Sequence, residues 1–188
     1  MVKARLALST SLALLILASC APGRLSRDQA ADSLRKRPEF GDFNVVVLFL
    51  HPQVFRQDGP DGPAYRAAAQ AGFITIIPRV GNIATAVITP QGEKAAGAPG
   101  WKLGPGASRA DELVIPVATR ELTEVTGVVG SGREAQVDFT WRFRLTDTGK
   151  ELVSHGLSFA TPAQRAKASF RRHDDGWRVE SITLISRS

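Results

Sequence analysis

Ala135-Gln136-Val137-Asp138-Phe139-Thr140-Trp141-Arg142-Phe143-Arg144-Leu145 decides the fold. Apolar and polar residues alternate along it without a break. Successive side chains of an extended chain point to opposite faces, so this is a long strand with one dry face and one wet face. Upstream, Leu113–Ala118 and Leu122–Val129 read as two more strands, the second turning at Gly130-Ser131-Gly132. Downstream, Asp147–Gly149 reads as a turn, and 165–172 with 177–185 as a hairpin around His173-Asp174-Asp175-Gly176. Asp-Gly there supplies a residue tolerant of positive φ. A meander of four to five antiparallel strands with one apolar face needs a cover. Phe139, Trp141, Phe143, Trp177 and Val179 are its expected core.

The first half of the chain supplies short helices and a helix–hairpin unit. Ser26 and Gln29 make a capping box ahead of a helix at about 27–37, closed by Arg35-Lys36-Arg37 and Pro38. Its thin apolar stripe (Ala30, Ala31, Leu34) suits the domain surface. Phe43–Leu50 is a valine-rich apolar run, expected to be a buried strand that ends at His51-Pro52. Asp58-Gly59-Pro60-Asp61-Gly62-Pro63 is a loop by its turn chemistry. A short alanine-rich helix over 64–71 is stopped by Gly72, and strands follow at about 73–78 and 83–89. Residues 91–108 are rich in Gly, Ala and Pro and read as a long loop pinned by Trp101. The expected class is α+β.

The chain has 188 residues, a formal charge of +6 and one cysteine. That length suits about one domain. A lone cysteine allows no intrachain disulfide, so the core must supply the stability. The first twenty residues have three parts. Met1–Arg5 is short and basic, Leu6–Leu17 is mostly apolar, and Ala18-Ser19 is small. This is the layout of a secretory signal, too short in its apolar part for a spanning helix. Losing Lys3 and Arg5 with it leaves about +4, short of the clustered charge of a nucleic-acid binder.

Leu17-Ala18-Ser19-Cys20 resembles the lipobox of bacterial lipoproteins. The resemblance implies diacylglycerol in thioether linkage on Cys20, cleavage between Ser19 and Cys20, and acylation of the new amino group. Two or three chains give stable anchoring. A plain signal peptide with an incidental cysteine, or an uncleaved helix, are the alternatives. Ala21 takes the place where Asp favours the inner membrane in enteric-type bacteria. The resemblance therefore implies the outer membrane, facing the periplasm, in a two-membrane organism. The organisation expected is a signal peptide at 1–19, a lipidated tether at 20–25 and a single α+β domain at 26–188. Its sub-parts, 26–92 and 110–188, join through the Gly/Ala/Pro-rich loop.

Two pieces of the body resemble known folds. Tyr65, Gly72-Phe73-Ile74 and Val87-Ile88-Thr89-Pro90-Gln91-Gly92 resemble the end of a winged-helix module over about thirty residues. This implies a shape only, since an exported chain has no DNA to bind. The closing Gly176-Trp177-Arg178-Val179 resembles the sheet end of cystatin-like or NTF2-like folds.

Chemistry-bearing constellations are sparse. His51, His155 and His173 are far apart and lack metal-ligand spacing, so no metal or cofactor is expected. His51 reads as a strand-end residue and His173 as a solvated turn residue. No Gly-x-Ser-x-Gly elbow or phosphate loop is present. Asp174-Asp175 reads as a pair of turn formers. Arg142, Arg144, Lys167, Arg171 and Arg178 fall on the polar sides of strands. If register aligns them, they form a basic face for anionic lipid, lipopolysaccharide or an acidic protein. The plainer reading is a solvated face balanced by Glu124, Asp138 and Glu180. The sequence thus points to a membrane-anchored, non-catalytic binding or assembly subunit of the cell envelope. The alternative is an envelope hydrolase whose site is assembled by the fold.

Overall fold

The computed structural model describes residues 23–105 and 111–184. The expected signal peptide at 1–19 and Cys20 lie outside them. In chain order come helices α1 (Arg27–Arg35) and α2 (Pro38–Gly41), strands β1 (Phe43–Phe49) and β2 (Val54–Arg56), and helix α3 (Gly62–Gln70). Strands β3 (Ile74–Pro78) and β4 (Ile83–Ile88) precede helix α4 (Pro90–Ala95) and strand β5 (Lys102–Pro105). Then follow β6 (Asp111–Ser131), β7 (Glu134–Leu145), helix α5 (Asp147–Ser154), β8 (Gln164–His173) and β9 (Gly176–Leu184). The class is α+β as expected, with an antiparallel C-terminal sheet, short helices and an early helix–hairpin unit.

The large sheet has six strands in the order β1-β6-β7-β8-β9, with β5 also beside β6. A second, three-stranded sheet runs β2-β4-β3. The dry side of β7 faces the covered side of the large sheet, where Val137, Phe139 and Trp141 are buried. α1 and α2 cover one part of that side. Leu34 and Phe40 from these helices join Phe139, Trp141 and Phe170 in one cluster. α3, the small sheet and α5 cover the rest, where Leu48, Tyr65, Phe73, Leu113, Ile115 and Leu152 form a second cluster. Phe143, Trp177 and Val179 only pack against the first cluster and are half-buried.

The α1 capping box forms as read. The Gln29 N–H donates to Ser26 Oγ at 3.1 Å, and the Ser26 N–H donates to Gln29 Oε1 at 3.1 Å. α1 ends at Arg35, two residues before the expected stop. Arg37, preceding Pro38, is extended, and Pro38 opens α2 with its fixed φ.

Several expectations are corrected. Phe43–Leu50 is not a buried strand. β1 is the edge of the sheet, and only one of its sides is covered. Leu48 is buried, whereas Phe43, Val45, Val47 and Phe49 are exposed on the opposite side. Leu113–Ala118 and Leu122–Val129 are one strand of 21 residues, not two. Bulges at β1–β6 and twice along β6–β7 shift its register, so its buried positions lose the period of two that marks a strand. Pro116, which cannot donate to a ladder, sits beside the first of them. The 91–108 segment contains α4 and β5, with Trp101 buried edge-on against Phe73 at a centroid distance of 5.0 Å. Asp147–Gly149 is the first turn of α5 rather than a reversal.

Two corners of the fold are built alike. After β4, the Thr89 N–H donates to the Phe73 carbonyl at 3.1 Å, its hydroxyl donates to the Gly72 carbonyl at 2.5 Å, and Thr89 Oγ1 accepts from the Gly92 N–H at 3.1 Å. After β7, the Thr146 N–H donates to the Val117 carbonyl at 2.9 Å, its hydroxyl donates to the Pro116 carbonyl at 2.8 Å, and Thr146 Oγ1 accepts from the Gly149 N–H at 2.9 Å. Each threonine thus ties a helix start to the neighbouring strand. Each glycine lies so close to that strand's carbonyl that a Cβ would collide with it.

The edge of β1 is closed at one end by a side chain. The Phe49 N–H donates to the Tyr65 hydroxyl at 2.8 Å, and that hydroxyl donates to the Phe49 carbonyl at 3.0 Å. Burial raises the phenol above its ordinary pKa. The ring stacks on Phe55 at 3.6 Å. Tyr65→Phe keeps the stack and removes both bonds. It is expected to cost about 1–2 kcal/mol in denaturant unfolding, and an unchanged midpoint would show that water replaces the hydroxyl freely.

Candidate functional site

The five basic residues singled out from sequence do share one side of the sheet. Glu121 opposes Arg142, Thr119 opposes Arg144, Asp138 opposes Lys167, and Arg171 opposes both Glu134 and Arg178. Directly opposed residues of antiparallel strands point the same way. This is the uncovered side, continuous with the exposed face of β1.

The face is not a bare positive surface. Arg142 meets Glu121 at 2.9 Å, Lys167 meets Asp138 at 3.4 Å, and Arg171 meets Glu134 at 3.2 Å. Arg178 pairs with Asp175 and holds that carboxyl below its usual range. Asp147 is likewise held low, by Lys150 first, with Arg144 adding to it. Every partner is more than a third exposed, so each pair contributes little to stability. Together they cancel most of the charge that would attract an anionic partner.

The histidines do not converge. His51 is exposed, and its backbone N–H donates to the Ala86 carbonyl at 2.8 Å, tying the end of β1 to the small sheet. His155 follows α5 as its C-cap. His173 Nε2 lies 3.3 Å from Glu180 Oε1 on the open β8–β9 hairpin. The side chains of that pair are 40% and 45% exposed, so water screens it. Among the described residues no group of three or more His, Cys, Asp or Glu side chains could hold a metal ion.

Two shallow grooves flank the β6–β7 turn. One, of about 570 Å³, carries Ser131, Glu134, Ser169, Arg171 and Glu180. The other, of about 590 Å³, runs between the start of the described chain and the sheet, with Arg24, Leu25, Val128 and Trp177 in its walls. Leu25 is 7% exposed and belongs to the core beneath α1.

Sequence reasoning missed Arg120. It lies on the covered side of β6, its guanidinium 5.4 Å from the centre of the Trp141 ring. One of its terminal nitrogens donates to the Glu39 carbonyl at 3.2 Å. It joins α2 to the sheet, and a charged residue at a strand centre gives no hint of this from sequence. The paired corners at Thr89 and Thr146 were missed too, read as the approach to a loop and as a turn; the signal that could have found them is Thr-Pro-Gln-Gly and Thr-Asp-Thr-Gly, each a capping residue ahead of a helix start.

The arrangement defines an α+β protein on a one-sided antiparallel sheet, with an ion-paired outer face and open grooves at one end. No family model matches the chain, and neither curated proteins nor solved structures give a match.

Proposed function

We propose that the chain is a lipid-anchored subunit of the cell envelope that acts by binding or assembly rather than catalysis. Its first partner is the membrane, through acyl chains on Cys20. Its second is an envelope protein or anionic lipid. In a two-membrane organism it sits on the outer membrane, facing the periplasm. One observation carries this reading: a basic start and an apolar core lead directly into Leu17-Ala18-Ser19-Cys20. The early packing of Leu25 is in keeping with it, because the compact body then begins within a few residues of the anchor. Among the described residues no helix is long and apolar enough to cross a membrane.

Mass spectrometry of the protein from its host tests this. The expected product begins at Cys20 and carries a diacylglyceryl thioether and an acylated amino group. Cys20→Ala is expected to accumulate with the leader attached. An unmodified sulfur on Cys20 in the wild-type protein would reject the reading.

The hydrolase reading has one contact on its side. His173 and Glu180 meet beside the groove that carries Ser131 and Ser169. Turnover of a chromogenic ester or glycoside by the wild-type protein, lost in His173→Ala, would favour it.

A further inference from the structure

The described chain begins at one particular end of the large sheet. Gly23 adopts φ +123°, and a side chain there would collide with the Arg172 guanidinium. The Arg172 N–H donates to the Arg133 carbonyl at 2.8 Å, which joins the ends of β8 and β7. Arg24 and Gly132 lie in one groove with Trp177. Arg24, Arg133 and Arg172 therefore gather where the chain comes in from Cys20.

All three are exposed, and none has a carboxylate within ion-pair distance among the described residues. Of the acidic side chains beside them, Glu134 pairs with Arg171 and Asp175 with Arg178, while Glu180 touches the His173 imidazole. Asp174 is the carboxylate of these turns without a cation among the described residues. Val129, apolar and 73% exposed, stands at the same end. With His173 neutral, Arg24, Arg133, Arg171, Arg172 and Arg178 outnumber Glu134, Asp174, Asp175 and Glu180 at this end by one, and the three arginines without a carboxylate partner are the ones beside the incoming chain.

Chain length fixes what this end can meet. Three Cα steps separate Cys20 from Gly23, a reach of at most about 11 Å. β7 alone, at 12 residues, is about 36 Å long. An acylated Cys20 thus holds the β6–β7 and β8–β9 turns close to the lipid, while the end carrying α5 stands well clear. We infer that these two turns form the face that rests on the bilayer, with Arg24, Arg133 and Arg172 against anionic lipid headgroups. This rests on lipidation of Cys20. Each basic side chain near an anionic leaflet strengthens association severalfold, so three shift the docked-to-undocked ratio on the order of a hundredfold.

The chain has one cysteine, and lipidation consumes its sulfur. A cysteine introduced elsewhere is then the single thiol open to a fluorophore. Val129→Cys and Ser154→Cys, made in the full chain and lipidated in the host, are labelled and reconstituted with lipid bearing a headgroup nitroxide quencher. One set of vesicles is phosphatidylcholine, and the other is equal parts phosphatidylcholine and phosphatidylglycerol. The label at Val129→Cys is expected to be strongly quenched in the mixed vesicles and much less in phosphatidylcholine. The label at Ser154→Cys is expected to be unquenched in both. Adding Arg24→Gln, Arg133→Gln and Arg172→Gln is expected to abolish the difference between vesicles. Equal quenching at the two positions, or quenching at Val129→Cys alike in both vesicles, would overturn the docking. Fluorophore uptake by the chain without an introduced cysteine would reveal a free Cys20 sulfur, which overturns the lipid anchor itself and with it the docking.

Discussion

Trp141→Ala is expected to lower stability by about 3–5 kcal/mol, the usual cost of emptying a large aromatic site in a core. The indole is 2% exposed and lies edge-on to Phe143 at a centroid distance of 5.0 Å. Its loss opens a void beneath α1 and α2 and removes the ring that faces the Arg120 guanidinium. For a body of this size the melting midpoint should fall by about 10 °C. Trp141→Phe provides the control. The indole Nε1 is buried without a hydrogen-bond partner among the described residues, so phenylalanine removes an unsatisfied donor along with some volume. It should cost far less than alanine. A melting curve that Trp141→Ala leaves unmoved would mean that β7 faces the other way.

Gly149→Val is expected to cost about 3 kcal/mol, at the upper end for forced overpacking. The obstacle is backbone: the new Cβ would meet the Val117 carbonyl, which already accepts from the Thr146 N–H. Relief requires α5 to lift from β6. That would unseat Leu152, 1% exposed, from the second core cluster. Thr146→Ala at the same corner removes the cap but leaves the approach intact, so it should cost only about 1 kcal/mol. Chemical denaturation of the two variants separates the effects. Equal losses would show that the corner depends on its hydrogen bonds rather than on the missing side chain.

The parts of the fold legible in the sequence are those whose pairing leaves a strict local period. β7 has no bulge, so its alternation reads directly, and β8 with β9 announce themselves through Asp174-Asp175-Gly176, where Gly176 takes φ +129°. The capping box of α1 is equally local. β6 hides because each bulge slips the phase of burial, and an arginine on its covered side interrupts the apolar face. β1 misleads for the opposite reason. Its run of valine and phenylalanine has the composition of a buried strand, yet whether a strand lies at an edge is a property of the whole sheet. The basic face shows the same division. Parity pairs Arg142 with Arg144 and Lys167 with Arg171, but their common side and the partners that neutralise them come from register: Glu121 lies twenty-one residues from Arg142 in the chain and Glu134 thirty-seven from Arg171. Arg24, Arg133 and Arg172 escaped notice because nothing in sequence brings a tether, a turn and a strand end together.

The matching corners at Thr89–Gly92 and Thr146–Gly149 bear on how kin of this chain are to be recognised. Surface residues drift and core side chains trade volume, and a capping threonine can give way to serine, but a glycine with no room for a methyl leaves almost no substitutes. A distant cousin whose remaining letters had all been rewritten would still be expected to carry a glycine three places after a capping residue twice, once after each hairpin. A search keyed to that doubled signature is better placed to find it than one keyed to overall likeness.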